Sequence, residues 1–356
     1  MLDWIDNYEE RTWQTTESGT VRYALLGLGW WTIDVALPAI ESSELGEVTT
    51  LVSSSTEKAT RLANENDVAR GISYDEFHDG EASDEYDAVY VGTPNAYHLE
   101  YVETAAELDK AVLCEKPMEA TVERAETMVE TCEAADVPLM IAYRMQTDPA
   151  VRRARELIAD GFLGDPVSVY GHNSQPLLEM IPDPDQWRLD PDLSGYGTSV
   201  MDLGIYSINT TRFLLGRDPV SVHSEMASSH EAFTEMPDER ASSLLVFEDD
   251  VQMISTSSQN AHEDTHLKIT GTEGQIELRP AFHGECSLQL SRGDLSVTVE
   301  HDSFDAEREM EEEFDYFADR LLGDGEIYPD GRHGLQDMRI IETLHKSAER
   351  DEPLDL

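Results

Sequence analysis

Positive charge is scarce in this chain. Only 25 Lys and Arg stand against 74 Asp and Glu, a formal charge of -49 over 356 residues. A polyanionic nucleic acid is repelled by such a protein, and no basic patch offsets the repulsion, so no DNA or RNA partner is expected. Long apolar runs are missing too. None reaches the roughly 20 residues that cross a bilayer, and no signal-peptide pattern opens the chain, so no membrane partner is expected. Cysteine is limited to Cys114, Cys132 and Cys286, too isolated for a disulfide framework or a metal spacing. His223, His230, His262 and His266 match no zinc motif, and no metal is expected.

What is present is a folded pattern under a heavy acidic surplus. In dilute buffer self-repulsion opposes folding, whereas molar salt shortens the Debye length to about 3 Å. The acids are spread along a chain that is still 40% hydrophobic, unlike a disordered acidic tail. A folded protein of a salt-rich cytoplasm is the expectation. The length favours two domains: a polar leader over 1–20, a first domain over 21–142 and a second over 143–356, whose closing helices pack back on the first.

The first domain reads as alternating strands and helices. Val21–Leu26 is a buried parallel strand that runs into Gly27-Leu28-Gly29-Trp30-Trp31-Thr32 and then a helix through Glu41. Gly27 permits the tight turn and Gly29 lets backbone amides approach a pyrophosphate at the helix start. Thr32 holds the usual third-glycine position, so helix packing there must tolerate a side chain. Further strands are expected at Glu47–Val52, Asp87–Gly92, 111–114 and 139–142, with helices at 56–64, 98–109 and 121–135 between them. This alternation argues for a Rossmann-type parallel sheet with ligands outside the strand ends. Ser53, Ser54, Ser55 and Lys58 follow the second strand where NAD-selective sites place an acid. Hydroxyls and an ammonium accommodate a 2'-phosphate, which favours NADP over NAD. The plainer reading is a helix cap at Ser55 or Thr56 beside a solvated Lys58. Thr93, Pro94, Asn95 and His98 follow another strand and line the expected cofactor bed, with Glu115, Lys116 and Arg144 added to the cofactor contacts.

Beyond Thr147-Asp148-Pro149, which opens a helix over 150–160, a strand is expected at Val167–His172. A Pro/Asp-rich segment over 182–192 carries Trp187 and Arg188, either as packing or as contacts to nicotinamide and a ligand oxygen. A helix over 199–215 places Asp202 and Tyr206 on one face at i,i+4 spacing. Tyr206 suits proton exchange with a substrate hydroxyl, with a nearby Lys116 favouring its phenolate and Asp202 orienting hydroxyl partners. An ordinary buried tyrosine paired to Asp202 explains the same spacing. Tyr143, Asn173 and Gln175 are further pocket residues. Strands at 221–227, 241–248, 251–258, 264–270, 274–279, 286–291 and 295–300 point to a large, open, predominantly antiparallel sheet in an α+β domain, closed by helices at Asp305–Leu322 and Gly334–Arg350. One sheet face offers a homodimer interface.

At these residues the chain resembles the glucose-fructose oxidoreductase, inositol dehydrogenase and rhizopine-catabolism family across residues 21–356. Gly27-Leu28-Gly29, Glu115-Lys116-Pro117 and Asp202-Leu203-Gly204-Ile205-Tyr206 match in order. The resemblance gives Lys116 an essential catalytic role. Many members carry histidine at the Tyr206 position. The tyrosine form resembles the branch with glucose-fructose oxidoreductase, dimeric dihydrodiol dehydrogenase and sugar 1-dehydrogenases, where that tyrosine accepts the proton. It implies NADP-dependent oxidation of an aldopentose, D-xylose foremost, at C1 to the aldonolactone, by a homodimer or homotetramer joined through the C-terminal sheet. Residues 1–20 carry no twin-arginine signal, which counts against glucose-fructose oxidoreductase activity itself. Oxidoreduction of another sugar, a small polyol or a dihydrodiol is the alternative; a non-catalytic nucleotide-binding regulator is the remote one.

Overall fold

The computed structural model describes residues 11–16, 18–283, 286–299, 306–323 and 325–356. Most of the expected leader lies outside these residues, as do Glu300 and Asp305 at the ends of two expected elements. Two compact units are present. The first holds Trp13–Arg144 with Ala306–Met338, and the second the described parts of Met1–Thr12, Met145–Asp305 and Arg339–Leu356.

In the first unit, β1 (Val21–Leu26), β2 (Gly46–Ser53), β3 (Arg70–Ser73), β4 (Ala88–Val91), β5 (Ala111–Glu115) and β6 (Leu139–Ala142) form one parallel sheet in the order β3-β2-β1-β4-β5-β6. Its central strands are buried on both faces, which is why they read as unbroken apolar runs. Strand order reverses between β1 and β4, so the loops after these two strands part and open a crevice at the sheet's carboxyl edge. Five helices connect the strands: α1 (Leu37–Ser42), α2 (Thr56–Glu65), α3 (Tyr74–His78), α4 (His98–Glu107) and α5 (Val122–Ala135). Ser55 and Thr121 cap α2 and α5 by accepting a backbone N–H three residues on. β3 and α3 were not expected, because Arg70–Ser73 has a single buried residue and carries no apolar run. The first helix also departs from expectation: residues Thr32–Ala36 form a wider π turn before α1. Later in the chain, α10 (Ala306–Leu322) contributes Met310, Phe314 and Phe317 to this unit's core, with Phe314 edge-on to Tyr23 at 5.4 Å.

The second unit begins with α6 (Pro149–Ala159), capped by Asp148 with proline in the first turn. β7 (Pro166–Pro176) runs four residues past its expected end because β10 (Gln252–Ser258) and β11 (Asn260–Gly271) pair with it along the extension. Short helices α7 (Leu177–Met180) and α8 (Pro191–Ser194) precede a π turn over Val200–Gly204 and α9 (Ile205–Leu215). With β8 (Pro219–Ala227), β9 (Arg240–Phe247), β12 (Gly274–Leu278), β13 (Leu288–Arg292), β14 (Leu295–Val299) and the C-terminal β15 (Leu354–Asp355), the strands form a nine-stranded sheet in the order β14-β13-β12-β11-β7-β10-β9-β8-β15. Among the described strands of this sheet, only the β7–β10 pair is parallel. The second closing helix, α11 (Gly331–Arg350), contributes residues to both units.

The Rossmann-type sheet followed by an open, largely antiparallel one is the architecture the alternation implied. α9 lies unusually close to its sheet because both sides are small. A Cβ on Gly171 of β7 would stand 2.6 Å from the Ser207 Cβ. Ser207 shares a 2.7 Å hydrogen bond with Ser255, and Ser199 donates to Ser257 at 2.8 Å. Among the described residues, no helix is long and apolar enough to cross a membrane.

With this charge surplus, stability depends on screening. Raising KCl from about 0.1 M to about 1 M shrinks the Debye length from about 10 Å to about 3 Å. The thermal midpoint, followed by circular dichroism, is expected to rise by several degrees across that range. A flat or falling midpoint would contradict this reading of the composition.

Candidate active site

The first unit builds a dinucleotide cradle at the β1/β4 crevice. Gly27 has φ +88, and a Cβ there would come within 2.7 Å of Gly92 and Thr93 atoms, so only glycine makes this turn. Thr32 Oγ1 donates to the Gly27 carbonyl at 2.7 Å and closes the loop. Its side chain fits because residue 92 is glycine, whose Cβ would lie 2.9 Å from that hydroxyl. A Cβ on Gly29, in contrast, meets no protein atom within 4 Å. Packing among the described residues does not demand glycine there, whereas close approach by a pyrophosphate does. Among the described residues, two buried hydroxyls, Ser53 Oγ at the end of β2 and Thr93 Oγ1 after β4, have no hydrogen-bond partner. These features fit a dinucleotide.

The β2–α2 turn caps its helix as the plainer reading expects, but Lys58 is not simply solvated. Ser55 accepts from the Lys58 N–H at 3.2 Å as a helix cap, while Lys58 Nζ donates to the Leu28 carbonyl of the glycine loop at 3.2 Å. Ser54 and Ser55 are exposed, but Ser53 is buried within the sheet. Asn95 is buried, and so is His98, whose ring nitrogens lie 2.8 Å from the Thr93 carbonyl and 3.2 Å from that of Met118. His98 therefore ties the loop after β4 to the loop after β5. Pro94 lies half-buried in the first of these loops.

Glu115 and Trp31 hold each other. Trp31 Nε1 donates to Tyr90 Oη at 3.1 Å and Glu115 Oε1 at 3.3 Å, and Tyr90 donates to the same carboxylate oxygen at 2.7 Å. Burial and the Glu115 charge raise the Tyr90 phenol well above its usual range, so it keeps the proton it donates. Glu115 Oε2 accepts the Lys116 backbone N–H at 3.2 Å, which fixes the chain where Lys116 emerges, before a cis peptide to Pro117. The Arg144 guanidinium lies 5.0 Å over Trp31 and pairs with the buried Glu309 at 3.0 Å. Trp30 is 51% exposed, edge-on to Trp31. Tyr143 is buried in this unit against His333.

The second unit gathers a polar cluster around the π turn. Asp202 Oδ2 accepts from Arg188 Nε at 3.1 Å and Gln259 Nε2 at 3.0 Å. Gln259 Oε1 accepts from Gln175 at 2.7 Å, and Arg188 also stacks 4.5 Å over Trp187. Asn173 donates to the Leu203 carbonyl at 3.2 Å, which turns its Oδ1 toward His283 Nε2, also at 3.2 Å. The His283 ring stands 5.2 Å from that of Tyr206, with Phe282 at 5.8 Å. The helix expected over 199–215 is not regular throughout: Asp202 sits in the wider π turn and Tyr206 is the second residue of α9, which follows it directly. Asn173, Gln175, Arg188, Asp202 and Tyr206 thus fall in one region of this unit, and Lys116 and Tyr143 belong to the other.

Sequence reasoning missed Gln259, His283 and Asp238. Asp238 is fully buried and accepts the Thr198 and Val200 N–H groups at 2.7 Å each. Burial pushes its carboxyl up to about 7 against the pull of these donors. Burial likewise drives the adjacent His345 down to about 4. Among the described residues, His223, Glu225 and Asp351 bring ligand-type atoms within 4.8 Å of one another at the β8 edge; both carboxylates are exposed.

Gly27→Ala tests the cradle. The φ of +88 and the clash with Gly92 are expected to weaken dinucleotide binding at least about tenfold, read from quenching of tryptophan fluorescence. Unchanged affinity would mean the loop does not hold the ligand.

Comparison with known proteins agrees with these two halves. Residues 21–143 match the oxidoreductase family with NAD-binding Rossmann fold, and residues 151–277 match the GFO/IDH/MocA C-terminal domain. The chain is 52% identical to D-xylose 1-dehydrogenase (NADP(+)) of Haloarcula marismortui, over 98% of this chain and 97% of that protein. It is 30% identical to D-xylose 1-dehydrogenase (NADP(+)) 2 of Haloferax volcanii, over 94% and 99%. The aldose-aldose oxidoreductase of Caulobacter crescentus, solved with glycerol, superposes with a TM-score of 0.87 at 29% identity, covering 95% of this chain and all of that one. The chain belongs to the GFO/IDH/MocA family of oxidoreductases.

Proposed function

We propose that the protein is an NADP-dependent sugar dehydrogenase that oxidises an aldopentose, D-xylose first, at C1 to the aldonolactone. The observation that carries this reading is the 52% identity, along nearly the whole of both chains, with the Haloarcula marismortui enzyme of that activity. When bound, NADP supplies the acceptor for the hydride that leaves C1.

The protein's own groups handle the proton and the sugar. As the C1–H bond breaks, the C1 hydroxyl becomes a carbonyl and its proton passes to Tyr206. Asp202 orients sugar hydroxyls, itself held by Arg188 and Gln259. Asn173 and Gln175 extend that polar wall along β7. Lys116 carries the cationic role that the Glu115-Lys116-Pro117 match assigns it. Lys58, with the exposed Ser54 and Ser55, suits a 2'-phosphate that a carboxylate would repel.

A homodimer joined through the open sheet face completes the reading. β7, β9 and β10 contain no Asp or Glu in a chain with 74 of them. Their outward positions include Tyr170, Leu244 and Ile254, exposed by 47, 39 and 44%. The composition suits the cytoplasm of a salt-accumulating cell. The likeness to the Caulobacter crescentus enzyme favours a second reading, aldose-aldose oxidoreduction, in which a second sugar takes back the hydride and no net NADPH accumulates.

Tyr206→Phe is expected to lower turnover about a hundredfold or more while leaving NADP affinity within about twofold, as loss of a general base should. Lys116→Ala is expected to impair turnover and cofactor affinity together. Full turnover by the Phe variant would overturn the assignment of the proton acceptor.

A further inference from the structure

Asp238 lies in the turn before β9, far in sequence from the segment Gly195-Tyr196-Gly197-Thr198 that it meets. Its two carboxylate oxygens take the N–H groups of Thr198 and Val200, at 2.7 Å each. These belong to the first turn of the helix, where N–H groups have no partner within the helix and the dipole favours negative charge. Gly197 makes room: a Cβ there would stand 2.3 Å from Asp238 Oδ1 and 2.6 Å from His345 Cε1. The His345 ring is buried below, its Nε2 4.0 Å from Asp238 Oδ2, and it packs against Tyr196.

An ordinary cap needs only a surface Ser, Thr or Asn. A fully buried carboxylate costs several times more to place, so its position calls for a reason beyond capping. The next turn of the helix supplies one. The Thr198 carbonyl accepts from the Asp202 N–H at 3.1 Å and from Gln259 Nε2 at 3.3 Å, and Gln259 also holds the Asp202 carboxylate. Anchoring Thr198 therefore anchors Asp202 twice, and Tyr206 lies one turn further on the same helix. We propose that Asp238 is a positioning residue for the sugar oxidation, fixing the helix start so that Asp202 and Tyr206 meet the C1 hydroxyl in reacting geometry. The inference rests on the reading of Tyr206 as proton acceptor.

Asp238→Asn keeps the shape but turns an amide N–H toward a backbone N–H. Turnover of D-xylose with NADP in molar KCl is expected to fall about tenfold to a hundredfold, with KM and NADP affinity within about threefold. The deuterium isotope effect on kcat, read with C1-deuterated D-xylose, is expected to rise because the chemical step becomes limiting. That ratio is read per turnover and does not depend on how much protein is folded. Asp238→Ser, which keeps a hydroxyl cap without the charge, is expected to raise it as well if the Asn variant folds poorly. A lowered thermal midpoint with an unchanged isotope effect in both variants would make Asp238 a cap alone and overturn the inference. That result, obtained while Tyr206→Phe is inactive, would leave the proposed function standing. An active Tyr206→Phe variant would overturn the assignment of Tyr206 as proton acceptor and this inference with it.

Discussion

A chain with 74 acids and 25 bases repels the phosphates of a dinucleotide at long range, so binding depends on where its few cations stand. Its lysines are Lys58, Lys110, Lys116, Lys268 and Lys346. Lys58 is held on the glycine loop itself, and Lys116 comes after the strand whose last residue, Glu115, fixes its backbone. Arg144 is tied to Trp31 and Glu309, and Arg188 to Trp187 and Asp202. In each arginine the charge is fixed by a carboxylate on one side and an aromatic face on the other. Acid is also unevenly spread over the second sheet: the neighbouring strands β7, β10 and β9 carry none.

The two units solve a common problem by similar means. Each carries a helix that must approach other backbone closely, and each begins that helix with a π turn. In the first, Thr32 and Gly92 exchange volume so that a hydroxyl can latch the glycine loop. In the second, Gly171, Ser207, Ser255 and Ser257 let the Tyr206 helix lie on hydroxyl contacts, with Asp238 beneath its start. Such close seating leaves little room for drift, which suits the proton transfer proposed for Tyr206.

Much of this was legible in the residues because its signals are local. Gly27 needs its positive φ whatever surrounds it, and the apolar run Ala88–Val91 can only be a strand buried on both faces. Alternation along β8–β14 marked the second sheet to within a few residues. Arg70–Ser73 escaped because its pairing with β2, not its composition, makes it a strand. His98 reads in sequence like a cofactor contact, yet its ring lies buried between two carbonyls, a fact set by loops 20 residues apart. Gln259, His283 and Asp238 act through distant partners and leave no spacing to find. A faint signal did exist: Ser255, Ser257 and Gln259 are polar at inward positions where alternation calls for apolar residues, and all three serve the Tyr206 helix or Asp202.

NADP-dependent oxidation of D-xylose is read from absorbance at 340 nm with the purified protein in molar KCl. Stoichiometric NADPH and xylonolactone are expected from NADP and D-xylose, faster than with NAD or with D-glucose. No net NADPH from D-xylose, with or without a second aldose present, would contradict it.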